Sequence, residues 1–293
     1  MIPRELFAQV KKIEIRTRRA VDDITAGAYR SVFKGRGIEF DEVREYTSED
    51  DIRDIDWNVT ARMGFPYIKK YIEERELTVF MAIDVSSSCS YGSGIKSKRE
   101  CAAEIAALLA FSAIRNHDKV GLLLFSDRTE LFLTPKSGKT HGLRLVRELL
   151  VKEPAGRGTD MNAALGTLMS VLNKKAVIFL ISDFIDEKPF SKLLNVANKR
   201  HDIIAVRILD PYEIKWPASS LINVSDSESG ETCEFPGSSQ GIRNAFAESA
   251  RDFQSGFEKQ CKRAKVDLID FRCGEDSVRP LVKFFRQREK FRR

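Results

Sequence analysis

Nearly continuous apolar runs are the most informative pattern in this chain of 293 residues. Residues 77–83, 120–125, 176–181 and 203–209 are dominated by apolar side chains, and helical patterns fill the intervals between them. Strands that are covered on both faces have this composition, and parallel sheets with helices on both sides bury their strands in this way. The alternation from residue 77 onward therefore predicts an α/β fold with three layers and a mostly parallel sheet.

The remaining pattern from residue 77 onward completes this layout. Apolar residues at helical spacing predict helices over 98–116, 161–172, 188–199 and 240–262, around 143–150 and after residue 277. Short runs of strand-forming residues predict an edge strand at 130–133 and a last strand at 266–271. The texture changes between residues 210 and 239, where prolines and a Ser/Gly turn occur. We predict a β-hairpin insertion at about 211–238, and we expect it to pack with the N-terminal strands as a small β annex.

The first part of the chain has a different pattern. An apolar stripe over residues 3–25 predicts a helix, and alternation over 38–46 and 66–74 predicts strands. We therefore expect two parts, an N-terminal helix and β segment over 1–76 and an α/β domain over 77–293.

A run of acids lies within this first part, at residues 48–57. Such a run is compatible with a two-metal nuclease. However, Arg44, Arg53 and Arg62 are close by in sequence. Ion pairs around Trp57 are therefore the favoured interpretation.

Composition indicates a soluble globular protein. Hydrophobic residues make up 42% and charged residues 31% of the chain. No apolar run approaches the roughly 20 residues that a membrane span requires, and the first residues lack the apolar core of a signal peptide. The five cysteines are scattered, which is typical of free thiols in a reducing compartment. We expect a cytoplasmic location and no transmembrane segment.

Three oxygen-bearing side chains directly follow the first apolar run: Asp84, Ser86 and Ser88. Positions i, i+2 and i+4 of an extended segment point to the same side, so one carboxylate and two hydroxyls converge beyond the strand. Open α/β sheets bind ligands at this edge, and hard oxygen donors suit Mg²⁺ better than zinc. The alternative is an ordinary loop in which Ser88 or Ser90 caps the next helix.

Two further segments carry candidate residues. Asp183 follows the apolar run 176–181 directly and supplies a second carboxylate. The Gly-rich stretch 154–160 ends in Thr159 and Asp160, and it allows close approach of the backbone to a ligand. Either of these two residues can also cap the helix that follows.

Short motifs precede the strand that ends in Asp84. They are GRGIEF at 35–40, REY at 44–46, DDIRDIDW at 50–57 and TAR at 60–62. In this order, and followed by D-x-S-x-S, they closely resemble the bacterial and archaeal family called domain of unknown function 58, over nearly the whole chain. The core of that family is similar to the von Willebrand factor A domain. The resemblance implies that the first strand of the α/β domain is central, with Asp84 where the strand order reverses.

The resemblance also implies the site and its function. In that superfamily a metal-ion-dependent adhesion site is formed by residues that match Asp84, Ser86, Ser88, Thr159 and Asp183. Mg²⁺ takes six ligands and holds its waters tightly, so three directly bound side chains leave a position that a Glu or Asp of another protein can occupy. We expect a protein-interaction module without catalysis, with one divalent cation (Mg²⁺, or Mn²⁺ or Ca²⁺). The family implies a MoxR-type AAA+ ATPase as partner, in the assembly or activation of other complexes.

Two other functions remain open. The first is a Mg²⁺-dependent phosphohydrolase using Asp84, although no Lys or second Asp follows in the required pattern and no His is placed as a base. The second is binding of nucleic acid or a membrane surface through the basic ends of a chain with net charge +6. No RNA-binding motif accompanies these charges, so we do not favour nucleic acid as a partner.

Overall fold

The computed structural model describes residues 21, 39–47, 50–72, 77–94, 96–186, 188–225 and 231–292. The chain divides into two compact units, of which one is residues 33–77 and the other contains residues 78–293. The helix predicted over residues 3–25 lies outside the described residues, except for Val21, which is helical and buried.

The unit of residues 33–77 is built on an antiparallel pair of strands. Its elements are strand β1 (Glu39–Glu45), a 3₁₀ turn (Ile52–Asp54), helix α1 (Trp57–Met63) and strand β2 (Tyr67–Ile72). Both strands lie where the alternation predicts them. Arg44 and Asp50 form an ion pair at 2.6 Å, as expected. Asp51 and Asp56 instead accept backbone N–H groups and so cap the 3₁₀ turn and α1.

The larger unit alternates strands and helices. Its strands are β3 (Thr78–Asp84), β4 (Lys119–Phe125), β5 (Thr129–Lys136), β6 (Val177–Ser182), β7 (Asp202–Leu209), β8 (Ile222–Ser225), β9 (Thr232–Phe235) and β10 (Asp267–Arg272). Its helices are α2 (Lys98–Arg115), α3 (Lys139–Val151), α4 (Met161–Val171), α5 (Ser191–Arg200), α6 (Pro211–Ile214), α7 (Gln240–Ala264) and α8 (Val278–Arg292). Within the described residues, six strands form one sheet in the order β10-β7-β6-β3-β4-β5. Its strand pairs are parallel except for β4 with β5.

The apolar runs form the buried strands because helices cover both faces of this sheet. Phe80 and Ala82 of β3 belong to a core that includes residues of α4, α5 and α7. Met81 and Ile83 point to the opposite face and are fully buried as well. The three-layer α/β fold predicted from the sequence is therefore confirmed.

The topology places Asp84 at the point where the strand order reverses. β3 lies between β4 and β6, so the chain leaves β3 towards one side of the sheet and later returns to its other side. In open α/β sheets the loops diverge at such a point and leave a crevice for a ligand. The resemblance implied this position for Asp84, and the fold confirms it.

The predicted insertion contains a β-hairpin, in which β8 pairs with β9 antiparallel. Trp216 holds this hairpin against α7, with its ring centroid 4.3 Å from that of Phe246 and 5.1 Å from that of Phe235. Packing of the hairpin with the N-terminal strands stays a prediction. None of the helices in the described ranges combines the length and apolar character that a membrane span needs.

Candidate metal centre

Asp84 is the last residue of β3, and its carboxylate is buried at the carboxyl edge of the sheet. Its Oδ1 accepts the backbone N–H of Ser86 at 2.9 Å. Its Oδ2 accepts the hydroxyl of Ser182 at 2.7 Å, and the hydroxyl of Thr159 lies 3.4 Å from the same oxygen. The carboxylate is therefore fixed by groups from three separate segments of the chain.

The residues after Asp84 bring two hydroxyls together. Ser87–Ser90 form a 3₁₀ turn, and the Oγ atoms of Ser86 and Ser88 lie 3.1 Å apart. The following helix, α2, is capped by Ser97 in a capping box. The alternative that a serine of this turn caps α2 is therefore wrong, and the predicted convergence is found.

Thr159 and Asp160 have different roles: one caps the following helix and the other faces the candidate site. The carboxylate of Asp160 caps α4 by accepting the backbone N–H of Ala163 at 3.0 Å, and it also forms an ion pair with Lys188 at 2.6 Å. Thr159 does not cap the helix, and its hydroxyl faces Asp84. The loop thus presents the threonine, as the resemblance implied.

The loop that carries Thr159 is held against the neighbouring strand ends. The N–H of Ser87 donates to the carbonyl of Arg157 at 2.9 Å, and the N–H of Gly156 donates to Glu130 at 2.8 Å. A Cβ at Gly156 would lie 2.3 Å from the Oγ of Ser126. Only glycine allows this close approach, so the Gly-rich stretch positions Thr159 through its backbone.

Asp183 follows β6 and is 2% exposed. Its Oδ2 accepts two hydrogen bonds, from the hydroxyl of Ser88 at 3.0 Å and from the ammonium of Lys98 at 2.7 Å. Its Oδ1 accepts the N–H of Ile185 at 3.0 Å. Each residue predicted for the site is thus linked to another by hydrogen bonds, and we call this group the Asp84 cluster: Asp84, Ser86, Ser88, Thr159 and Asp183.

Three residues at the cluster were not predicted from the sequence: Ser182, Lys98 and Glu213. The ammonium of Lys98, which is 1% exposed, also lies 2.5 Å from the carboxylate of Glu213 on α6. A lysine at the first position of a helix opposes the helix dipole, and this was the one available signal. Ser182 and Glu213 had no local signal, because they reach the cluster through the packing of distant segments.

Burial and like charge set the electrostatics of the cluster. Burial, with the charge of Asp183 as the second cause, raises the pKa of Asp84 to about 6. Burial alone would lower the pKa of Lys98, but the carboxylates of Asp183 and Glu213 raise it above its ordinary value. Burial raises the pKa of Glu213. The two carboxylates of the cluster therefore lie in a buried place that favours a nearby positive charge.

The donor set fits a hard divalent cation. It consists of two carboxylates and three hydroxyls, which are oxygen ligands of the kind that Mg²⁺, Mn²⁺ and Ca²⁺ take. In the described parts of the chain, no three His, Cys, Asp or Glu side chains gather as a metal site. The hydroxyls of Ser86, Ser88 and Thr159 would complete the coordination at the Asp84 cluster. Ser88 and Thr159 are half-buried, whereas Asp84 and Asp183 are buried. Ser86 is buried as well, so the side of the cluster formed by Ser88 and Thr159 is the side nearer to solvent.

The fold and the Asp84 cluster together define a three-layer α/β domain with a candidate metal centre at the carboxyl edge of its sheet. The family model described as protein of unknown function DUF58 matches residues 42–256, and the chain belongs to this family. It is similar to an uncharacterized protein of Mycobacterium tuberculosis (strain H37Rv), with 26% identity over 288 residues, which are 98% of this chain and 90% of that protein. An uncharacterized protein of Mycobacterium avium is 24% identical over 157 residues, 53% of this chain and 92% of that protein.

Two solved structures illustrate the similarity of this chain to known folds. BatB from Bacteroides thetaiotaomicron, a conserved hypothetical protein, has a TM-score of 0.49 and 16% identity, covering 73% of this chain and 99% of that chain. The SpRpn10 VWA domain has a TM-score of 0.41 and 11% identity, covering 72% of this chain and 95% of that chain.

Proposed function

We propose that this protein is a cation-dependent protein-interaction module with no catalytic activity of its own. The Asp84 cluster would hold one divalent cation, Mg²⁺ or a similar ion. The cation would in turn bind the carboxylate of a Glu or Asp side chain from a partner protein. The cation would supply a positive charge and a coordination position at which one ligand can be exchanged for another.

The observation that carries the proposal is the convergence of oxygens from three distant segments on one point. Asp84 ends β3, Asp183 follows β6, and Thr159 comes from the loop before α4. Hydrogen bonds of 3.4 Å or shorter connect these segments through Ser86 and Ser88. Two acids buried together carry a desolvation cost that a bound cation offsets, which supports binding of a cation here.

The difference in burial between the carboxylates and two of the hydroxyls supports an exchangeable coordination position on the solvent side of the cation. The carboxylates lie inside, and the half-buried hydroxyls of Ser88 and Thr159 lie towards solvent. Mg²⁺ usually keeps several waters when protein ligands are few. A partner's carboxylate would replace one of these waters on the hydroxyl side.

The family resemblance leads us to propose a MoxR-type AAA+ ATPase as the partner, with a role in assembling or activating other complexes in the cytoplasm. A pull-down of this ATPase with the full chain tests the assignment. Capture in Mg²⁺ and its loss in EDTA are expected. Equal capture in both buffers would contradict a cation-mediated contact.

Cation binding itself is tested by calorimetry with Mg²⁺ and Mn²⁺ on the wild type and on Asp84→Ala and Asp183→Ala. Both substitutions should weaken binding at least tenfold, because each removes a charged ligand. Asp127→Ala is the matched control. Asp127 also follows a strand at this edge, but its carboxylate pairs with Arg128 at 2.8 Å, so its loss should leave the affinity unchanged.

Two results would contradict the proposal. Equal affinity in the wild type and both cluster variants would show that the cation does not bind at the Asp84 cluster. Mg²⁺-dependent hydrolysis of a phosphate ester, lost in Asp84→Ala, would show a phosphohydrolase instead of a binding module.

A further inference from the structure

Lys98 is a buried lysine at the edge of the Asp84 cluster. Its side chain is 1% exposed, and its ammonium lies 2.7 Å from Asp183 and 2.5 Å from Glu213. Lysine is almost never fully buried unless it is paired, because an ammonium is costly to remove from water. Here the pairing is with two carboxylates, of which one belongs to the cluster and the other does not.

Glu213 is held in place independently of Lys98. It is part of the short helix α6, where its Oε2 accepts the backbone N–H of Asp210 at 3.1 Å in a capping box. Asp210 in turn is fixed by the N–H of Ser93, at 2.8 Å, and by that of Tyr212, at 2.9 Å. The carboxylate of Glu213 therefore stays beside the cluster whether or not the ammonium is present.

Lys98 uses an oxygen that a cation in the cluster would need. The Oδ2 of Asp183 accepts hydrogen bonds from both Lys98 and Ser88. A divalent cation bound to this carboxylate would lie close to the ammonium and be repelled by it. Glu213 offers the ammonium another partner and offsets part of its charge.

We propose that Lys98 is an internal competitor of the divalent cation and that Glu213 limits this competition by drawing the ammonium away from Asp183. This inference rests on the proposed function, because it concerns the affinity of the same site. Lys98 and Glu213 are positioning residues, since neither is among the ligands of the Asp84 cluster. Their opposite charges give them opposite effects on cation binding.

The test measures Mg²⁺ and Mn²⁺ affinity by calorimetry for the wild type, Lys98→Met, Glu213→Gln and the double variant. Lys98→Met should bind about tenfold more tightly, and Glu213→Gln about tenfold more weakly. The double variant should return to near the wild-type affinity, because its two charge changes cancel. A purely structural role predicts weaker binding in both single variants.

A matched control lies two residues before Lys98. Lys96 pairs with Glu104 at 2.6 Å, so Lys96→Met removes a lysine–glutamate ion pair that is more exposed and does not involve Asp183. It should not change the affinity. A second readout is the thermal unfolding temperature in EDTA and in Mg²⁺. Lys98→Met should show the largest rise with Mg²⁺, because the cation replaces the lost ammonium between carboxylates.

The outcomes separate this inference from the proposed function. If the wild type binds the cation and folded Lys98→Met binds no more tightly, the inference is wrong and the proposed function stands. If the wild type binds none but Lys98→Met does, the competition is shown directly. If neither folded protein binds, both fail. If Lys98→Met does not fold, Glu213→Gln decides, and unchanged or tighter binding in that variant refutes the inference.

Discussion

Asp84 should lower the stability of the cation-free protein at neutral pH. Burial and the neighbouring charge of Asp183 raise its pKa from 3.8 to about 6. Below pH of about 4 the carboxyl is protonated in the folded and the unfolded chain alike. Between about pH 4 and pH 6 the folded chain keeps a proton that the unfolded chain loses, so the free energy of unfolding falls as the pH rises. Each pKa unit corresponds to about 1.4 kcal/mol, which gives a loss of about 3 kcal/mol above pH 6.

Asp84→Asn removes this penalty and keeps the shape of the side chain. The amide oxygen can accept the N–H of Ser86, and the amide nitrogen can donate to the hydroxyl of Ser182. A less favourable hydrogen bond would cost about 1 kcal/mol. In EDTA at pH 8 the variant should therefore be more stable than the wild type by about 2 kcal/mol. At pH 4 only the hydrogen-bond cost remains, so the variant should be less stable by about 1 kcal/mol.

The assay is urea unfolding at pH 4, 5, 6, 7 and 8 in EDTA, comparing the two proteins at each pH so that the other titrating groups cancel. Equal dependence on pH in both proteins would refute the reasoning about Asp84. Adding Mg²⁺ at pH 8 should stabilise the wild type and not the variant. Asp127→Asn serves as control. Its hydrogen bond with Arg128 lowers the pKa of Asp127 from the ordinary 3.8, so this carboxyl titrates below the tested range and its loss should leave the dependence on pH between 4 and 8 unchanged.

Two further substitutions test the parts that surround the site. Gly156→Ala should cost about 1–3 kcal/mol of stability and weaken cation binding, because a Cβ in the loop that carries Thr159 would lie 2.3 Å from the buried Oγ of Ser126. Urea unfolding and calorimetry check this. Gly166→Ala, with open space around it, should be neutral or slightly stabilising. Trp216→Ala removes the ring that stacks on α7 at 4.3 Å and should speed limited proteolysis between β8 and β9 without changing cation affinity. Unchanged cleavage there would show that Trp216 does not hold the hairpin.

The layers of the fold could be predicted because its strands are buried on both faces. The apolar run at 176–181 became β6, Val177–Ser182, and the run at 203–209 became β7, Asp202–Leu209. A strand with no polar face has no other stable place than the centre of a covered sheet. Boundaries shifted by a residue or two, because capping and fraying of the ends depend on contacts outside the run.

The carboxylates of the site could be predicted from the same pattern. Asp84 and Asp183 lie at the ends of apolar runs, and parallel strands bring their carboxyl ends to one edge. Thr159 is different, since it meets Asp84 across 75 positions of sequence. Its own surroundings indicated either a capping role or a loop that approaches some ligand closely, and the family resemblance supplied its place at the site.

Lys98 and Glu213 could not be predicted as site residues from the sequence pattern. Nothing next to Lys98 in sequence indicates that its ammonium is buried, since the partners of that ammonium are 85 and 115 positions away. Burial of this charge depends on the contacts of Lys98 with Asp183 and Glu213 in the folded chain, and no local period of the sequence encodes them. A charge against the dipole at the start of a helix is the signal worth examining in related chains.

The charges of these residues explain why a partner's acid would need a cation. If Lys98 and Glu213 offset each other, Asp84 and Asp183 leave the cluster with two negative charges when both are ionised. A Glu or Asp from a partner would then bring a third negative charge towards two buried ones, which is strongly unfavourable at low dielectric. A monovalent cation would not offset this repulsion, whereas a divalent cation leaves a single negative charge shared among three carboxylates. Under the proposed function, loss of partner binding in EDTA therefore follows from charge balance as well as from coordination geometry.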